Sequence, residues 1–250
     1  MKCTWLMGVI AVVFLQNALA FEECGSLRNG YGPYDYWVDK ERLQIVLGAH
    51  FTPGVETLTQ QQTGPFGGDI DYTLRAIPNH PGALMTMVRL GEKLKTERPR
   101  GARYSIECYF DRAMRFRPDD GTVRMVYADF LSKRGRNKEA LEQLEKAQAL
   151  AGDSANLHYN IALAYFSLQQ YDKALKHAHK AYAMGFTLPG LRNKLQKAGK
   201  WREATPEELE AFKANAGDKA DVPAAAGDAG AAAPAAPEAV AQPPQSQSQQ

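Results

Sequence analysis

Five histidines and a scatter of carboxylates are the residues of this 250-residue chain that could do acid–base or metal chemistry, and their spacing argues against both. His177 and His179 stand two apart in a helical stretch, so they point to different faces and cannot chelate one ion. His50 with Asp69 and Asp71 is the one imaginable acid–base cluster, and nothing in the spacing supports it. The chain holds no HExxH, no GxSxG, no phosphate-binding P-loop and no CxxC. The expectation is a protein that is not an enzyme and takes no cofactor and no metal.

Two cysteines carry more. Lys2 precedes an apolar run from Trp5 to Leu15 that ends in Ala18-Leu19-Ala20, an A-x-A processing pattern. That run is too short to span a bilayer, so residues 1–20 read as a cleaved secretory signal peptide, with no membrane span afterwards. Phe21-Glu22-Glu23 is bulky and acidic and makes no lipobox before Cys24. Cleavage removes Cys3, and two cysteines left in a secreted chain are expected to pair. A net charge of +2 with 23% charged residues gives no reason to expect a nucleic-acid binder.

The elements that position these residues come from a repeat. Ala128, Ala140 and Ala147 recur 34 residues later as Ala162, Ala174 and Ala181, and Leu141 recurs as Leu175. Small residues at that period mark the crossing points of antiparallel helix pairs, each burying its apolar face only by stacking on its neighbours. The second copy, Tyr159-Asn160-Ile161-Ala162-Leu163-Ala164-Tyr165-Phe166 and then Tyr171-Asp172-Lys173-Ala174-Leu175, resembles the tetratricopeptide repeat (TPR) consensus. The resemblance implies an all-α fold: a short right-handed α-solenoid of helical hairpins, with an irregular N-terminal cap and a disordered C-terminal tail. His158 falls where such repeats carry a large packing residue, so a structural role is expected for it.

The same register places Cys108 two residues after Ile106, which takes the crossing position of Ala140 and Ala174. Cys108 then faces outward, within reach of an N-terminal segment carrying Cys24. A Cys24–Cys108 disulfide is predicted, and for so long a loop the chain-entropy model gives roughly 4–5 kcal/mol.

In order, residues 21–68 should form the cap, 69–186 the repeats, 187–215 capping helices and 216–250 the tail. The segment from Asn29 to Trp37 is rich in Gly, Pro and aromatic residues and fits neither helical nor strand periodicity. Residues 38–48 fit a helix or a short buried strand. Thr52-Pro53 opens a helix expected to run to the Gln60–Gln62 stretch, with a partner helix over 69–77. Helices are expected over 83–94 and 103–116, and a basic amphipathic helix over 188–198. Thr205-Pro206-Glu207-Glu208 reads as a capping box opening a helix over 206–214. The tail, low in large apolar residues, cannot offset the entropy of ordering.

In TPR proteins the first helix of each repeat lines a concave surface. The resemblance places Thr122, Met125, Asp129, Ser132 and Lys133 there, followed by Asn156, Tyr159, Asn160, Leu163, Phe166 and Ser167. Such a mixed surface with aromatic anchors suits an extended peptide or a partner helix. Met125 stands where chaperone-binding members carry a clamp lysine, so that specificity is not expected. A second feature is a basic edge along the hairpin turns: Lys93, Lys95, Arg98, Arg100 and Arg103, then Lys133, Arg134, Arg136 and Lys138. It reads as a solvated edge or as a contact for an acidic protein or an anionic envelope polymer.

With Cys24-Gly25-Ser26-Leu27 and Gly32-Pro33-Tyr34-Asp35-Tyr36 near its start, the chain also resembles a group of small periplasmic TPR proteins of Gram-negative bacteria. The resemblance implies a periplasmic adaptor for a protein partner, within an envelope secretion, pilus or polysaccharide export assembly. The alternative is binding of a glycan or cell-wall fragment by the aromatic N-terminal segment and the basic edge.

Overall fold

A computed structural model describes residues 24–217 apart from Asp153, with side chains described as far as Phe212. The signal-peptide and tail readings lie outside these residues. Among the described residues the chain is all-helical. Its helices are α1 (Lys40–His50), α2 (Pro53–Glu56), α3 (Phe66–Ala76), α4 (Pro81–Leu94), α5 (Ile106–Phe116), α6 (Gly121–Lys133), α7 (Asn137–Leu150), α8 (Ala155–Ser167), α9 (Tyr171–Ala183), α10 (Gly190–Lys197) and α11 (Pro206–Gly217).

The pairs α6/α7 and α8/α9 are the tightest hairpins, and every small residue of the 34-residue pattern is inside them. Ala128, Ala140, Ala147, Ala162, Ala174 and Ala181 are all buried. A methyl group at a crossing lets two helix backbones approach closely while still contributing apolar area. The α4/α5 hairpin solves the same problem differently. Ile106 takes the alanine position of α5, and Gly91 lies opposite, where a Cβ would come within 2.3 Å of Ile106 Cδ1. The large residue is matched by the absent one.

First helices α4, α6, α8 and α10 pack on one another in succession, whereas second helices α5, α7 and α9 meet each other at most loosely. A stack drawn together on one side curves toward that side, so the first helices line its concave face. Helices α4, α6 and α8 are each started by a side chain that accepts from free amides: His80 Nδ1 from Ala83 N at 3.2 Å, Asp120 Oδ1 from Thr122 N at 2.9 Å, Ser154 Oγ from Leu157 N at 3.2 Å.

Residues 24–39 form a strap across the outer side of α3 and α5. Cys24 is bonded to Cys108, with the Cα atoms 5.0 Å apart, so the predicted disulfide is present. Arg112, 1% exposed, donates through Nη1 to the carbonyls of Cys24 (3.1 Å) and Ser26 (2.7 Å), with its guanidinium 4.5 Å from the centre of the Tyr104 ring. Further on, Tyr34 N donates to Ala76 O at 2.8 Å and Asp35 pairs with Arg117. Buried Asn79 accepts from Tyr36 N at 3.0 Å and donates to Asp120 Oδ2 at 3.0 Å, and that oxygen also accepts from Trp37 Nε1 at 2.8 Å. The aromatic segment is thus packing material that ties the first hairpins to the N-cap of α6.

Residues 40–50 are helix, and no strand forms there. The helix expected over 52–62 closes after one turn at Glu56, because Asp69 gathers the following loop: its carboxylate accepts from Gln62 N and Thr63 N, each at 3.2 Å, and from the Thr63 hydroxyl. At the other end the capping box is reciprocal, Glu208 N donating to Thr205 Oγ1 at 3.2 Å and Thr205 N to Glu208 Oε2 at 2.9 Å.

Candidate functional site

Of the residues assigned to the concave groove, Thr122, Met125, Ser132, Asn160, Leu163 and Phe166 are half-buried, and Asp129, Lys133, Asn156 and Ser167 are exposed. Met125, Leu163 and Phe166 rest on the continuous core while keeping one side open. Asn160 Nδ2 donates to Asn156 O at 3.0 Å and to Asn156 Oδ1 at 2.8 Å, which orients a pair of side-chain amides along α8. Beside them, Asp129 and Lys133 pair at 2.9 Å, and Lys133 lies 3.9 Å from Glu92 on α4. The surface is apolar in the middle, amide-rich along α8 and electrically balanced on α6.

Tyr159, expected as an aromatic anchor, is corrected: it is 8% exposed and faces inward. Its ring stacks on Phe186 with centroids 4.2 Å apart, and its hydroxyl accepts from Leu191 N at 3.1 Å. The reason is the next first helix: α10 needs an acceptor at its N-terminus, and Tyr159 supplies it.

Three cations of the basic edge, Lys133, Arg134 and Arg136, are matched by carboxylates, Glu97 and Glu107 coming from the neighbouring hairpin and Glu139 from the start of α7. Arg134 Nη2 lies 3.0 Å from Glu97 Oε1, and Arg136 lies 2.8 Å from Glu107 and 2.6 Å from Glu139. Those two carboxylates, Glu139 foremost, hold the Arg136 guanidinium above its ordinary pKa. Arg98 Nε donates to the backbone of Ala102 at 3.1 Å. Lys93, Lys95, Arg100, Arg103 and Lys138 are exposed. Sequence reasoning counted the cations of this edge and missed their partners: only stacking brings Glu97 and Glu107 alongside, whereas Glu139 follows Arg136 by three residues and was overlooked at local helical spacing.

The imagined His50, Asp69 and Asp71 cluster splits in two. His50 Nδ1 lies 3.3 Å from Asp69 Oδ1. Burial alone would raise the Asp69 carboxyl, but donors from Thr63, His50 and Gln62 outweigh it and hold the group below its usual range. Asp71 turns elsewhere, accepting from the Tyr109 hydroxyl at 2.5 Å and pairing with Arg75 at 2.9 Å. Both carboxylates are consumed in holding loops and helices together.

His158 is buried, as its position implied, and it meets His177: the two Nδ1 atoms are 2.9 Å apart. His177 Nε2 lies 3.0 Å from Gln148 Oε1 and His158 Nε2 lies 3.1 Å from Gly152 O. Burial first, then His158 and nearby lysines, push the His177 pKa down to about 3. Among the described residues no group of three or more His, Cys, Asp or Glu side chains could hold a metal ion, and no helix is long and apolar enough to cross a membrane. A shallow cleft of about 400 Å³ between α9 and α11 is lined by Leu175, Lys176 and Phe212 among others, and an ion pair of Arg202 with Glu208 (2.6 Å) lies at it. Nothing in it converges on a reacting atom.

Residues 105–181 match the family model described as anaphase-promoting complex, cyclosome, subunit 3, a TPR-like repeat. No curated protein and no solved structure matches the chain. The match spans α5 to α9 and so takes in α6 to α9, the helices that carry the 34-residue period and its buried alanines. Residues 105–181 thus form TPR-like repeats, a helical arrangement of the kind that generally serves as a protein–protein interaction scaffold.

Proposed function

We propose that this protein is a non-enzymatic periplasmic adaptor that holds a protein partner, as an extended peptide or a helix, in the concave face of α4, α6 and α8. The observation that carries the reading is the row of half-buried side chains on that face: Met125, Leu163 and Phe166 lean on the core and leave one side open, and the Asn160 amide lies along the same helix as Leu163 and Phe166. Half-buried apolar groups flanked by amides fit backbone and side-chain recognition, and a protein chain offers both. The Cys24–Cys108 bond supports an oxidising compartment, since such pairs are rare where glutathione keeps thiols reduced. A place within an envelope secretion, pilus or polysaccharide export assembly is the setting that follows from this role.

The matching experiment is affinity capture from envelope extract with the full chain beside a Met125→Ala/Leu163→Ala variant of unchanged circular dichroism. Recovery of one protein that the variant loses supports the groove. Equal recovery by both sinks it and moves attention to the exposed cations of the basic edge as a contact for an acidic protein or an anionic envelope polymer.

A further inference from the structure

The groove does not end on α8. Helix α10 packs on α8 and α9 through Leu191 and Leu195, both fully buried. On one flank Arg192 lies over the rings of Tyr182 (5.5 Å) and Trp201 (4.7 Å) and reaches Glu203 at 3.5 Å, toward the second-helix side of the stack. At about 100° per residue, Lys194 and Lys197 fall roughly 200° and 140° away around the helix, on the flank that continues the groove.

These two lysines differ from the paired cations around them. Lys133 is matched by Asp129, Arg134 by Glu97, Arg136 by Glu107 and Glu139, Arg192 by Glu203 and Arg202 by Glu208. Lys194 and Lys197 are exposed and have no carboxylate within ion-pair reach among the described residues. They stand three apart on an eight-residue helix, a spacing at which like charges repel and destabilise. The groove is therefore balanced at α6, uncharged along α8 and positive at α10.

We propose that the segment held in the groove is acidic, an extended stretch of polypeptide whose Asp or Glu side chains seat beside Lys194 and Lys197 while its apolar residues lie against Leu163 and Met125. This rests on the reading of the concave face as a protein-binding groove. Charge complementarity of this kind sets the direction in which a peptide lies and suppresses wrong partners.

A phage-displayed library of random twelve-residue peptides, panned on the full chain and on a Lys194→Glu/Lys197→Glu variant, tests it. The variant should melt like the parent, because both side chains are exposed and unpaired. Peptides selected on the parent are expected to be enriched in Asp and Glu, to bind the variant about tenfold more weakly, and to lose much of their salt dependence there. An Arg134→Glu/Arg136→Glu variant should select the same acidic peptides as the parent. Peptides without acidic enrichment, or enrichment that survives the Lys194 and Lys197 reversal, would overturn the proposal and leave the groove reading standing. Selection of no peptide at all would remove both. If phosphatidylglycerol vesicles bind the parent and not the variant while peptides show no acidic bias, the lysines serve a lipid surface and the proposal fails.

Discussion

Nδ1 of His158 lies 2.9 Å from Nδ1 of His177 inside the α8/α9 hairpin, so the two rings share one hydrogen bond and only one of them supplies its proton. His177, pushed down to about 3 by burial, is neutral at physiological pH in the folded protein. In the unfolded chain it returns to the ordinary value near 6.5. The folded pKa lies below the unfolded one, so the stabilisation is complete above about pH 6.5 and is lost as the pH falls toward 3.

The melting temperature should therefore fall steadily below about pH 6.5. His80, also pushed to about 3 by burial, adds a slope of the same sign. Replacement His177→Gln should flatten the slope between about pH 6.5 and 4 without abolishing it. A melting temperature independent of pH over that range would contradict the burial of both rings.

Reduction should loosen the strap. Removing a native disulfide costs about 2–5 kcal/mol, and here the bond spans 84 residues of sequence. Urea unfolding of the full chain with and without reductant should show a drop of that order, and alkylation under denaturing but non-reducing conditions should find Cys24 and Cys108 blocked.

Asn79 ties its own loop to two other parts of the fold, the strap through Tyr36 N and Asp35, and the α6 N-cap through Asp120. Asn79→Ala leaves a buried amide and two carboxylate oxygens short of partners, a loss of about 2–4 kcal/mol by chemical denaturation. Asp120→Ala should cost a comparable amount, and the pair should be strongly non-additive in a double-mutant cycle.

Overpacking a crossing tests the repeat itself. Ala174, fully buried in α9, replaced by leucine should destabilise by about 1–3 kcal/mol, while the same change at exposed Ala149 of α7 should be near neutral.

Much of this was legible beforehand, for reasons that differ by residue. Ala128, Ala140, Ala162 and Ala174 announce the hairpins because close helix approach admits few side chains, and the period survives in sequence. Cys24 and Cys108 could be paired because the same register fixed which way Cys108 faces. The α4/α5 hairpin was harder, since its compensation of Gly91 against Ile106 is a spatial pairing across a loop of irregular length. Groove chemistry was the least legible. Whether Tyr159 points out or caps α10, and whether Arg134 meets Glu97, depends on which helices stack side by side, and single-sequence spacing does not carry that. Lys194 and Lys197 went unnoticed as groove residues because α10 read only as a cap.

The claim that the concave face holds a protein partner is met most directly by site-specific photo-crosslinking in the cells that make the protein. A benzophenone side chain would replace Leu163 on the concave face, or Glu142, exposed on the outer second-helix side. The account predicts one discrete protein adduct from position 163 and none from 142. Adducts from 142 alone, or the same adduct from both positions, would contradict it.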